Sequence, residues 1–243
     1  MKQYTHIIWD WNGTLFDDAW LCVDIMNVLL RKRNKPPITH PRYLDIFDFP
    51  VKDYYCRAGF DFADEPFEAL AAEYIQEYDR RQSECRLQPY TEEVLHRCRS
   101  QGISQSILSA CHQDRLEDIV RHFSIDHFFH ELVGLSDYYA ASKTRNGQKL
   151  LDNLGLPATE VLLVGDTTHD FDVAQALGVE CVLIAGGHHS QEKLASTGAL
   201  VKDSLRELFD GTDNTNIGTH PYPSQVGNSP PGRGRGGSKN ARA

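Results

Sequence analysis

Four short aliphatic runs, each stopping at Gly, Ser or Asp, constrain this chain more than any other feature: Thr5 to Asp10 (THIIWD), Ser106 to Ser109 (SILS), Val161 to Asp166 (VLLVGD) and Glu180 to Gly186 (ECVLIAG). The last three alternate with helical patterns. A strand is apolar along its whole length only when both faces of its sheet are covered, which is the condition of a parallel sheet whose crossovers are helices. The pattern therefore predicts an α/β fold, a Rossmann-like parallel sheet covered by helices. Thr91 is expected to cap a helix over residues 92–100 with Val94, Leu95 and Cys98 on one face, and Asp170 to open another that runs to Leu177 and stops at Gly178.

The first and second runs are separated by roughly 90 residues with little strand signal, far more than one crossover needs. Within them Ala19 to Lys35 reads as one helix stopped by Pro36 and Pro37. Phe67, Leu70, Ala71, Tyr74, Ile75 and Tyr78 follow the i, i+3, i+4, i+7 spacing of another. The expected organisation is a catalytic core of residues 1–16 and 86–210, a helical cap of residues 17–85, and a tail of residues 211–243. That tail is rich in Gly, Pro, Ser and Asn and lacks the apolar residues that offset ordering entropy, so disorder is expected of it.

Charge narrows the function classes. The chain carries a net charge of −9, and the tail holds Asp213 against Arg233, Arg235, Lys239 and Arg242, which leaves residues 1–210 at −12. A body this acidic argues against a nucleic-acid surface and suits one that takes a counter-cation or a small ligand. No stretch approaches the roughly 18 apolar residues of a membrane span, and the opening MKQYTHIIWDWNGTLF has no long apolar region of a signal peptide. The six cysteines show neither CxxC nor Cys/His ligand spacing, so a reducing cytoplasm is the expected setting. Nothing in the pattern sets an oligomeric state.

The chemistry-bearing residues gather at strand ends. Asp10 closes the first run, at the carboxyl edge where open α/β sheets bind ligands, and Gly13 allows a sharp turn that brings amide groups toward an anion. Ser109 closes the second run, Gly165-Asp166 the third, and Asp170 follows. Lys143 begins the helix before Val161. In a parallel sheet these ends meet on one edge.

DWNGTLFDD, SILSA, an isolated lysine and VGDTTHD, in that order, resemble the haloacid dehalogenase superfamily, mostly magnesium-dependent phosphohydrolases, over about residues 5–209. The helical insert is similar to the cap of that superfamily's phosphoglycolate phosphatase-like branch. The resemblance implies a small phosphorylated substrate, with phosphoglycolate as the family-level example, and Mg²⁺. It implies that Asp10 attacks phosphorus, that Ser109 and Lys143 hold the transferring oxygens, and that Asp10, the Asn12 main-chain carbonyl and Asp166 ligate the metal. Asp170 would hold a metal water or fix Lys143. Such a mechanism splits a hard displacement into two easier ones on a neutralised phosphoryl group. Lys149 fits the exposed face of its helix better than Lys143 does, Asp17 and Asp18 are expected to cap the first insert helix, and His169 and His112 lie near the proposed site.

One position departs from the phosphatase pattern. Where those enzymes carry a second aspartate two residues after the nucleophile, this chain has Asn12, and an amide cannot exchange the proton of the leaving oxygen, a function worth typically about 10²- to 10⁴-fold. Two alternatives follow. Phosphonoacetaldehyde hydrolases also place Trp beside the nucleophile and lack the acid, and Lys52 stands in the insert where their Schiff-base lysine would. A phosphate-ester binding protein without turnover is the other. For a carboxylated substrate the insert offers His40, Arg42, Lys52 and Arg57.

Overall fold

The computed structural model describes residues 4–63, 65–136 and 141–209; the tail at 211–243 lies outside the described residues. Its central sheet is built from β1 (His6–Trp9), β4 (Ser104–His112), β5 (Glu131–Leu135), β6 (Val161–Gly165), β7 (Glu180–Ile184) and β8 (Leu200–Lys202). They are ordered β5-β4-β1-β6-β7-β8 and all the pairings are parallel. From β1 the chain builds first to one side and then to the other. The crevice where ligands bind in such sheets thus opens at the carboxyl end of β1, flanked by β4 and β6.

Alternation along the strands divides the core in two. Ile7, Trp9, Leu162, Val164, Val182 and Ile184 face one hydrophobic cluster, with α5 (Thr91–Ser100) and α6 (Gln113–His122) packed on it. Ile8, Leu108, Leu163 and Leu183 face another, covered by α7 (Ala141–Leu154), α8 (Thr168–Leu177) and α9 (Gln191–Ala195). Successive side chains of a strand point to opposite faces, so a doubly covered strand must be apolar throughout, as the sequence pattern requires.

Between β2 (Phe16–Asp17) and β3 (Arg86–Leu87) the chain forms α1 (Ala19–Lys32), α2 (His40–Ile46), α3 (Val51–Ala58) and α4 (Phe67–Arg81). β2 and β3 pair antiparallel, Phe16 against Leu87, so the chain leaves and rejoins the sheet domain at one place. α1 buries Leu21, Cys22, Ile25, Met26, Leu29 and Leu30 on one face, and full burial of each larger aliphatic side chain is worth about 1.5–3 kcal/mol. These side chains belong to the same cluster as Trp9 and Trp11, so the insert and one face of the sheet share a core.

The helix ends differ from the sequence expectation for local reasons. α1 stops at Lys32, short of Lys35, because Asn34 takes a left-handed conformation (φ 56°) and the Lys35 amide turns back to the Leu30 carbonyl. Thr91 does not cap α5. Its hydroxyl donates to the Leu15 carbonyl, and Tyr90 precedes the helix. α8 is capped by Thr167, with Asp170 at the third helical position completing a reciprocal pair of bonds.

Candidate active site

Asp10 directly follows β1, its amide bound to the Val164 carbonyl at 2.8 Å. The loop beyond it folds back through bonds from the Leu15 and Phe16 amides to the Trp11 carbonyl, and Gly13 takes φ 78°. A Cβ at Gly13 would lie 2.2 Å from Asp166 Oδ2, so glycine is demanded both by the backbone angle and by the approach of that carboxylate. A Cβ at Gly187, after β7, would come equally close to the same oxygen. Asp166 is thereby enclosed, accepting from Thr14 Oγ1 at 2.8 Å and from the His188 amide at 2.6 Å.

Lys143, on α7, reaches Asp10 Oδ1 at 2.5 Å and Asp170 Oδ1 at 2.6 Å. The other oxygen of Asp170 accepts from the amide and hydroxyl of Thr167, so this carboxylate anchors Lys143 to the start of α8. Strand register pairs Trp9 with Ile107, which carries Ser109 to the same edge, and its Oγ accepts from the Cys111 amide at 3.0 Å. Asp10, Asp166 and Asp170 each offer an oxygen within 4.8 Å of the others, and all three are buried.

Three carboxylates against one ammonium leave this cluster short of positive charge. Burial pushes Asp10 well above the ordinary carboxylate range, the nearby Asp170 and Asp166 add to the rise, and Lys143 only partly opposes it. Burial likewise raises Asp166 to about 6. For Asp170 burial acts upward too, yet the Lys143 charge and hydrogen bond outweigh it and the net shift is downward. A hard divalent cation takes carboxylate oxygens and would remove the imbalance, so the donor set fits Mg²⁺.

A second polar cluster adjoins the first on the side of the insert. Asn12 Nδ2 donates to Asp18 Oδ2 at 2.8 Å and to Tyr78 Oη at 2.9 Å, and the Tyr78 hydroxyl donates to Asp18 Oδ2 at 2.7 Å. Asp18 Oδ1 accepts from the Gly13 amide at 3.0 Å and faces His188 Nε2 at 3.2 Å, while His188 Nδ1 lies 2.7 Å from the Tyr43 hydroxyl. Burial would raise Asp18 and lower His188, but their mutual attraction wins in both. Asp18 falls below the usual carboxylate range and His188 rises to about 9.

The remaining sequence candidates fall elsewhere. Asp18 precedes α1 without capping it by its side chain; it faces Asn12 and His188 instead. His40, Arg42, Lys52 and Arg57 are all exposed; Lys52 lies over the rings of Phe62 and Phe67, and Arg57 faces Asp48 at 3.9 Å. Lys149 is exposed where Lys143 is buried. His169 packs against Phe49 with ring centroids 4.7 Å apart, and His112 precedes α6. The sequence reading missed His188, Tyr43 and Tyr78. A signal for the first existed: Gly186, Gly187 and His188 follow a strand that ends on the same edge as Asp10.

Residues 7–184 match the family described as haloacid dehalogenase-like hydrolase. The chain belongs to that family. Within the haloacid dehalogenase-like hydrolases it is similar to a phosphoglycolate phosphatase of Aliivibrio fischeri, 27% identical over 126 residues that make up 51% of this chain and 55% of that one, so the match spans about half of that relative. A phosphoglycolate phosphatase of Synechococcus elongatus is 25% identical over 194 residues, 78% of this chain and 88% of that one. Among solved structures, a haloacid dehalogenase-like family hydrolase from Streptococcus pneumoniae shares the fold with a TM-score of 0.74 at 18% identity, covering 85% of this chain and 97% of that one. No helix among the described residues is long and apolar enough to cross a membrane.

Proposed function

We propose that this chain is a phosphohydrolase that cleaves a small phosphorylated metabolite by transferring the phosphoryl group to Asp10 and then to water. The observation that carries the reading is the buried set at the carboxyl edge, where Asp10 stands against Lys143 with Asp166 beside it. Asp10 Oδ supplies the electron pair to phosphorus. Lys143 and the Ser109 hydroxyl meet the non-bridging oxygens, and Asp170 holds Lys143 in place. Asp10, Asp166 and the Asn12 main-chain carbonyl would hold Mg²⁺, which when bound neutralises the phosphoryl charge.

Asp10 is only 6% exposed, and the insert meets the site through Tyr78 on Asn12 and Tyr43 on His188, so we infer that substrate enters when helices α1–α4 shift. We assign residues 17–85 as the cap and residues 1–16 and 86–210 as the core on this ground. The names of the relatives make phosphoglycolate the natural first compound to assay. The deciding test is phosphate release from p-nitrophenyl phosphate with and without Mg²⁺. Metal-dependent release that Asp10→Asn abolishes supports hydrolysis, and binding without release would identify a phosphate-ester binding protein.

A further inference from the structure

The polar groups around Asn12 bear on which bond this site can break. Expulsion of an alkoxide calls for a proton in the transition state, and the usual contribution of a positioned acid is about 10²- to 10⁴-fold. Asn12 has no such proton, and both hydrogens of its amide are spent on Asp18 and Tyr78. The amide is also needed where it stands. Asp18 is a buried acceptor 2.8 Å away, and a carboxylate at position 12 would face it as a like charge.

The neighbouring groups are directed into the protein as well. The Tyr78 hydroxyl donates to Asp18, and His188 has Asp18 at one ring nitrogen and Tyr43 at the other; Lys143, set between Asp10 and Asp170, is the group assigned above to the non-bridging oxygens. Asp18 is surrounded by donors from Asn12, Gly13, Tyr78 and His188, the arrangement of an ionised carboxylate with no proton to give. Among the described residues, several cations that could receive a substrate carboxylate are already paired or are exposed. Arg115 lies within 3.0 Å of Asp79 and Lys193 within 3.1 Å of Asp48, and the four insert candidates from the sequence are exposed.

Building on the hydrolase reading above, we infer that the substrate carries its phosphoryl group on an oxygen that departs as a stable anion, as in an acyl phosphate or a phosphoanhydride, in preference to an alkyl phosphate. In the first step the bond from Asp10 Oδ to phosphorus forms and the bond from phosphorus to the leaving oxygen breaks. That oxygen keeps the electron pair and leaves unprotonated as a carboxylate or phosphate. In the second, water oxygen bonds to phosphorus and the Asp10–phosphorus bond breaks. One water proton stays on the released phosphate, the other passes to phosphate or solvent, and the Asp10 carboxylate is restored.

The test is kcat/KM of the full chain with Mg²⁺ on acetyl phosphate and pyrophosphate against glycerol phosphate and phosphoglycolate. We expect the first pair to exceed the second by at least about 100-fold. The reciprocal swap Asn12→Asp with Asp18→Asn keeps a donor facing an acceptor and places a carboxylate at position 12; it is expected to reduce that ratio by about tenfold or more. Alkyl phosphates turned over within tenfold of the anhydrides by the unmodified chain would overturn the inference while leaving the hydrolase reading intact. No release from any compound would overturn both. The measurement on the unmodified chain decides the question whether or not the swapped variant folds.

Discussion

The two polar clusters that meet at the loop after β1 are both buried, both rich in carboxylate, and opposite in condition. Around Asp10 the negative charges outnumber the single ammonium, and burial drives Asp10 and Asp166 toward protonation. Around Asp18 one carboxylate meets one imidazolium and further donors, and the charges stay on both groups. The first cluster holds more negative charge than the protein itself balances. The second is satisfied by the protein itself, and so serves to fix the Asn12 side chain and join the insert to the sheet. Burial alone therefore does not mark a reacting group; the balance of donors and charges around it does.

That contrast can be broken most forcefully at Asp10. Asp10→Asn is expected to reduce phosphate release by at least about 10³-fold, since the amide supplies no nucleophile, while the melting temperature of the metal-free protein holds or rises because a crowded buried charge is gone. A clear fall in melting temperature would show that Asp10 is held as structure. Asp18→Ala should do the reverse and destabilise by about 3 kcal/mol in urea unfolding, because it strands His188 without its counter-charge. A loss below about 1 kcal/mol would mean that the pair contributes little.

The same pair carries a pH signature. His188 rises to about 9 in the folded protein from its ordinary 6.5, so its contribution is complete below pH 6.5 and disappears as pH climbs through 9. Unfolding free energy should fall by about 2–3 kcal/mol across that window, and Asp18→Asn should flatten the fall. On the other side, Asp166→Ala is expected to weaken Mg²⁺ at least about tenfold, read as the concentration that half-restores activity or raises the melting temperature. Unchanged metal dependence would place the ion elsewhere. The smallest effect should come from Arg115→Ala, whose partner Asp79 is about half exposed. A loss under about 1 kcal/mol is expected, since such pairs are screened by water.

How much of this was legible beforehand follows the same division. Asp10, Lys143, Asp166 and Asp170 could be read because each stands at a strand end or a helix start, and parallel topology brings those ends together without further information; Ser109 is reached the same way, although β4 runs on past it to His112 with a register shift after Leu108. The contacts within the Asp18 cluster could not be read. Tyr43 and His188 are 145 residues apart, and Asn12 and Tyr78 are 66 apart; no local periodicity encodes such contacts. α2 and α3 are short and Pro-flanked, too brief for a helical period to stand out, and β8 has only three residues. β5 escaped because Glu131 and Gly134 interrupt its apolar run.

The β2–β3 ribbon has a consequence for how such a chain could be rebuilt. Because Phe16 and Leu87 are paired neighbours, the connectivity allows everything between them to be replaced by a tight turn, or by a foreign module, with the sheet order untouched. Packing forbids so clean an exchange. Trp9 and Trp11 lie in one continuous apolar mass with Leu21, Ile25 and Tyr43, so an excised chain would keep its topology and expose the aromatic residues on either side of Asp10. A graft on this scaffold would succeed only if it brought a replacement for that shared surface, which makes the side chains of the donor segment, more than its length, the quantity to design.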